Sequence, residues 1–165
     1  MTWKLQIALT FVMLHYGGRI SSYKPGTDGH SGTRLAGARC LNLPEKFWDW
    51  KENYPVPVCA MRAGCSQGAV RMGDIATIKR KGFFHWCVIL DSGPWGCLDA
   101  DKSWHNCGPK TKYKGKLPPG WRWKSIVDVA NPGKGYPGGG PGSVTVLHVQ
   151  AKKAQRKQMI LEMIK

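Results

Sequence analysis

At 165 residues the chain is one domain's worth, long enough to bury a core without added staples. It carries 25 Lys and Arg against 10 Asp and Glu, a formal net charge of +15. That balance favours an acidic partner, nucleic acid first and an anionic membrane surface second. With 21 Gly and 11 Pro, much of the chain is turn or loop, and strands should outnumber helices.

Residues 1–16 set one lysine before a largely apolar run that is too short to span a membrane. Leu5, Ile7, Leu9, Phe11 and Met13 alternate, which predicts a strand, with a secretory leader as the alternative. Residues 17–38 are Gly- and Ser-rich without periodicity and predict a loop or flexible arm. Over 42–54 the pattern predicts a helix. Asn42 and Glu45 have capping-box spacing, Pro44 suits a first turn, and Leu43, Phe47, Trp50 and Tyr54 fall on one face. Cys40 just precedes that start, where a helix N-terminus would lower a thiol pKa.

Residues 72–101 read as three strands. Ile75 to Ile78 is followed by the turn Lys79–Gly82, Phe83 to Leu90 by the turn Asp91–Pro94, and a third strand runs from Trp95 to Asp99. His85, Cys87 and Ile89 share one face of the second strand. If the hairpin sets Asp99 beside His85, the carboxylate would fix the imidazole tautomer, as the third member of a catalytic set does. The alternative is a half-buried strand histidine.

Residues 102–124 hold seven Lys or Arg and no acidic residue, with Trp104, Tyr113, Trp121 and Trp123 interleaved. Lys110, Lys112, Lys114 and Lys116, then Trp121, Arg122, Trp123 and Lys124, fit a single-stranded RNA surface, cations tracking phosphates and rings stacking bases. A solvated basic loop is the alternative. Strands are expected over 125–130 and 144–149, separated by a Gly/Pro loop at 131–143, and a helix over 150–165 with a basic first half and an apolar end that could dock a protein partner.

The cysteines at 40, 59, 65, 87, 97 and 107 are even in number, which in a secreted chain suggests three disulfides. No spacing fits a zinc site. Cys87 and Cys97 lie on apolar strands, so reduced structural thiols are the expectation, and no metal or cofactor is called for.

Gly73-Asp74-Ile75 opening a strand, a basic turn and His85-Trp86 heading an apolar strand resemble the H-box of the lecithin–retinol acyltransferase, HRAS-like suppressor and picornaviral 2A group. These are permuted relatives of the NlpC-type papain-like hydrolases. Asn106-Cys107 resembles the group's second signature. The resemblance implies a thiolate nucleophile, Cys107 or alternatively Cys40, with His85 as base, Asn106 beside the nucleophile and Asp99 as orienting group. This chain departs from the pattern. Cys97 stands where the enzymes carry a second histidine, and the residues after Cys107 cannot form a helix.

The expected architecture is α+β: a small antiparallel sheet carrying the 43–54 helix and the C-terminal helix. Residues 1–38 would be an N-terminal strand and flexible arm, 39–130 the H-box-like α+β core, and 131–165 a Gly/Pro loop, strand and C-terminal helix. The expected function is that of a non-proteolytic 2A-like protein in the cytoplasm of an infected host cell, binding single-stranded RNA or host proteins. The alternatives are a Cys–His thiol acyltransferase or hydrolase, and a secreted, disulfide-bonded basic binding protein.

Overall fold

The computed structural model describes residues 10–27 and 32–165. The first nine residues of the expected N-terminal strand therefore lie outside the described residues.

Six strands close into a barrel. In chain order they are β1 (Thr10–Tyr23), β2 (Val58–Met61), β3 (Ile75–Arg80), β4 (Phe83–Ser92), β8 (Val127–Ala130) and β9 (Gly140–Gln150). Around the barrel the order is β1-β8-β2-β4-β3-β9. Two neighbouring pairs are parallel, β1 with β8 and β2 with β4; the others are antiparallel. Between β4 and β8 the chain leaves the barrel to build a lobe on a second sheet of β5 (Gly96–Leu98), β6 (Trp104–Asn106) and β7 (Arg122–Trp123), in the order β6-β5-β7. A short helix α1 (Ala36–Cys40) packs on β4, and α2 (Lys153–Met163) follows β9.

Alternation decides which side chains fill the barrel. Ala76 and Ile78 on β3, Cys87 and Ile89 on β4, Val127 and Val129 on β8, and Val144 and Val146 on β9 are all 0% exposed. Each Val and Ile among them contributes about 1.5–3 kcal/mol of burial. Leu35, Ala38 and Leu41 continue the core under α1, and Ile160 closes it from α2. The α1 packing needs a glycine at 37: a Cβ there would meet the Leu90 carbonyl oxygen and the Met72 sulfur, both at 2.7 Å.

The α+β expectation is corrected. The described residues are 40% strand and 12% helix, with a closed barrel in place of a small sheet carrying two helices. The local strand signals were sound, but closure depends on β1 pairing with β9 from Thr10↔Gln150 to Ile20↔Gly140, and then with β8 from Ile20↔Val127 onward. No local pattern announces such pairing. The predicted arm at 17–38 is strand as far as Tyr23.

The 43–54 helix is also corrected; only Glu45–Phe47 turns, as a 3-10 helix. Asn42 has φ 53°, outside the extended region an N-cap needs. The backbone beyond is engaged elsewhere: Leu35 N–H donates to Trp48 O and Trp50 N–H to Thr33 O, each at 2.8 Å. Leu43 and Trp50 are buried and Phe47 and Tyr54 half-buried against the core, so these apolar positions face inward on a non-helical backbone.

The cysteines form three disulfides, Cys40–Cys65, Cys59–Cys87 and Cys97–Cys107, and none is free, which corrects the expectation of reduced thiols. Small apolar strand positions suit a buried half-cystine as well as a free thiol. Cys59 and Cys87 sit on neighbouring strands, and spacing alone could not show that neighbourhood.

Candidate functional site

The predicted site residues do not assemble. His85 lies near the start of β4, its ring stacked on Phe83 at 5.6 Å between centroids. Its Nε2 is buried with no partner among the described residues, and burial pushes its pKa down. Asp99 pairs instead with His105, Oδ2 to Nε2 at 2.8 Å, while Oδ1 accepts the Asp101 and Ser103 N–H groups. The His105 contact holds the Asp99 carboxyl below the usual range. The reason is topological: β5 belongs to the lobe sheet and never pairs with β4. Cys107 is bonded to Cys97 and Cys40 to Cys65, so neither presents a thiolate. Cys40 also ends α1 rather than preceding a helix. Asn106 accepts from the Gly108 N–H at 3.0 Å.

The basic stretch is placed as follows. Lys110, Lys112, Lys114 and Lys116 are exposed, as are Arg122 and Lys124. Trp121 packs on His105 at 4.5 Å and Tyr113 at 5.2 Å. Trp123 packs on Trp95 at 5.8 Å and lies 4.3 Å beneath the Arg62 guanidinium. Both tryptophans thus serve the lobe's own packing. The apolar end of α2 is likewise used internally, Ile160 being fully buried and Leu161, Met163 and Ile164 packed against the core.

What the fold does build is a cleft of about 370 Å³ between the barrel mouth and the lobe. Strand ends position its groups. Tyr23 is the last residue of β1, Asp91 lies next to the end of β4, and Asp128 sits on β8 opposite Ser21. His85 is six residues back along β4 from Asp91, about 20 Å at ordinary strand rise. The Tyr23 hydroxyl donates to Asp91 Oδ2 at 2.7 Å, and the Ser92 N–H to Oδ1 at 2.8 Å. The Ser21 hydroxyl donates to Asp128 Oδ1. Trp95, Trp104 and Asn106 form the lobe wall, with Arg19 and Lys124 at hand.

Burial pushes Asp91 above the ordinary aspartate range, and the charge on Asp128 adds to the rise; the Tyr23 and backbone hydrogen bonds oppose it. Burial, then Asp91, pushes the Tyr23 phenol far up, so it remains a donor. Asp128 interacts with Arg62, whose guanidinium burial lowers to about 10. Arg62 also fastens the lobe. Its Nη1 donates to Pro94 O at 2.5 Å and Ser125 O at 2.9 Å, the points where the chain leaves and rejoins the barrel.

Sequence reasoning missed Tyr23, Asp91, Asp128, Trp95 and Trp104 as a group. Asp91 was absorbed into the turn Asp91–Pro94. Asp128 carried a usable signal, a carboxylate in the apolar run Ile126-Val127-Asp128-Val129-Ala130. Among the described residues no three His, Cys, Asp or Glu side chains gather as a metal site, and no helix is long and apolar enough to cross a membrane. Compared with known proteins, the chain matches no family model, no curated protein and no solved structure.

Proposed function

We propose that the protein is a disulfide-bonded basic protein whose cleft binds a glycan chain and cleaves a glycosidic bond within it. One observation carries the reading: Asp91, whose protonated form burial favours, shares with Asp128 a cleft walled by Trp95 and Trp104. Cleavage of a glycosidic bond uses such a pair. Asp91, held towards its neutral form by burial, gives its proton to the leaving glycosidic oxygen. Asp128 supplies negative charge for the positive sugar ring that forms, and a water then adds to that ring and returns a proton. Indole faces pack the C–H faces of sugars while hydroxyls meet Ser, Asn and Asp. Trp104, 59% exposed at the rim, is the natural stacking surface.

The test is a panel of neutral and acidic oligosaccharides, followed by calorimetric binding and by reducing-end release. Asp91→Asn should abolish release and retain binding; Trp104→Ala should weaken binding. Binding without release would assign the cleft to recognition alone, and no binding would refute the reading.

RNA binding stands as a second reading, favoured by the four exposed lysines at 110, 112, 114 and 116, which make no ion pair among the described residues. With Trp121 and Trp123 packed inside the lobe, it rests on charge. Neutralising all four to glutamine should flatten the salt dependence of RNA affinity by about three log–log units at ~0.7 per contact.

A further inference from the structure

β1 is paired on both sides over only part of its length. It runs beside β9 from Thr10 to Ile20, but β8 joins it only from Ile20 to Tyr23. Thr10–Gly18 is therefore an edge strand. We infer that this edge is a self-association site, where the same edge of a second copy of the chain pairs antiparallel about a twofold axis at Leu14. None of its residues lines the Asp91 cleft, so the inference stands apart from the glycan reading.

The direction of the backbone groups follows from two hydrogen bonds. On the β8 side, Arg19 O accepts the Ile126 N–H and Tyr23 O accepts the Asn131 N–H. Backbone groups alternate in direction along a strand, and the β1–β9 register runs without a bulge. The N–H and C=O groups of Phe11, Met13, His15 and Gly17 thus point away from β9, and they have no backbone partner among the described residues. All four residues are exposed, and a Cβ added at Gly17 would meet nothing within 4 Å.

Folded proteins blunt such edges with charge, proline, bulges or a covering segment. Thr10–Gly18 contains no Lys, Arg, Asp, Glu or Pro. It instead presents Phe11 and Met13 at 46% and 58% exposure. The start of β4, which β2 also leaves unpaired, is guarded by the basic turn Lys79-Arg80-Lys81 just before it. The β1 edge is the unguarded one.

Charge and symmetry identify the occupant. Each copy carries +15, so copies repel, and an uncharged edge lets two of them meet without setting like charges opposite each other. Centring the pair on Leu14 sets Phe11 opposite Gly17 and Met13 opposite His15, which engages all four outward residues of both copies. Four such pairs exchange about eight hydrogen bonds. The contact uses the same surface twice and closes at two copies. At the roughly 30–40 Å² per residue of ordinary interfaces, this edge buries about 300 Å² per copy, well under the ~800 Å² of a stable complex. The dimer is therefore weak and reversible, with a dissociation constant on the order of 100 µM.

The experiment sediments the full chain, freed of nucleic acid, from about 10 µM to 1 mM. A monomer–dimer equilibrium is expected, and raising salt from about 50 to 500 mM should tighten it, because screening relieves the repulsion between like-charged copies. Amide exchange read by NMR over the same range should slow at Phe11, Met13, His15 and Gly17 and stay unchanged at Val12, Leu14 and Tyr16, whose amides face β9. Met13→Pro removes an N–H that β9 does not use and should weaken the dimer at least about tenfold. Met13→Lys, at an exposed position, should weaken it too by placing two ammonium groups beside the axis. A monomer throughout, species that grow beyond the dimer, association that weakens with salt, unchanged affinity in both variants, or a dimer whose four outward amides exchange as in the monomer would overturn the inference.

Discussion

Opening the Cys97–Cys107 disulfide tests how the cleft wall is held. The perturbation is Cys97→Ala with Cys107→Ala. The cysteines are 10 residues apart, so the bond removes about 2.7 kcal/mol of chain entropy from the unfolded state. Separations of 25 and 28 give ~3.5 and ~3.6 kcal/mol for the other two bonds by the same relation. At 2–4 °C per kcal/mol the loss is a Tm decrease of about 5–10 °C. The structure adds where it falls. The lobe sheet has strands of only three, three and two residues, too little to sustain itself in water. Without the disulfide it keeps Arg62 at its base, the ring packing of Trp95 with Trp123 and of Trp121 with His105 and Tyr113, and the Asp99–His105 pair. The lobe should therefore open as a unit before the barrel does. Hydrogen exchange followed by mass spectrometry is the assay. Peptides within 95–124 should lose protection while β3, β4 and β9 keep theirs, and glycan affinity should fall because Trp95 and Trp104 lose their position. Uniform loss of protection across the chain, or a stability change below about 1 kcal/mol, would refute the reasoning.

Arg62→Ala should loosen the same lobe from its base, costing about 2–4 kcal/mol for two charge-assisted hydrogen bonds and a cation–π contact, read by urea denaturation. The raised pKa of Asp91 has a definite sign: its favourable contribution to stability is complete below the unfolded value and is lost as pH rises through the folded one. Asp91→Asn should therefore raise Tm at pH 7 relative to wild type and reduce the loss of Tm from pH 4 to 7. Gly37→Ala should destabilise by about 1–3 kcal/mol, because the new methyl meets a backbone carbonyl that cannot move aside. Ile160→Ala should cost about 2–5 kcal/mol in the same denaturation assay, since the side chain is fully buried where α2 meets the core.

Local chemistry was legible in the strands. The apolar runs Ile75–Ile78, Phe83–Leu90, 127–130 and 144–149 all lie in strands, but β3, β4 and β9 extend into Lys79–Arg80, Asp91–Ser92 and 140–143, which turn and loop residues had marked, and α2 falls inside the expected 150–165 helix. Partnership was not legible. Asp99 was assigned to His85 because adjacent strands in sequence usually pair, whereas the chain departs into the lobe after Ser92 and carries Asp99 to His105. The cleft was hidden for the same reason. Tyr23, Asp91 and Asp128 lie on strands that meet only when the barrel closes, and each taken singly reads as an unremarked strand or turn residue. The 42–54 segment shows the converse: a capping box and an apolar face were present, and pairing of Leu35 and Trp50 with distant backbone overrode them.

The placement of β1 has a consequence for how the protein is made. Both of its barrel neighbours are encoded late, and Thr10 cannot meet Gln150 until 140 further residues have been added. At 5–20 residues per second that is roughly 7–28 s of synthesis. All six cysteines fall between residues 40 and 107, so they emerge before β8 and β9 do. Throughout that interval β1 has two open edges, with Phe11 and Met13 among its side chains. The nascent chain is thus most vulnerable to intermolecular strand pairing while its covalent cross-links are being chosen, and the barrel seals only after translation has passed residue 150.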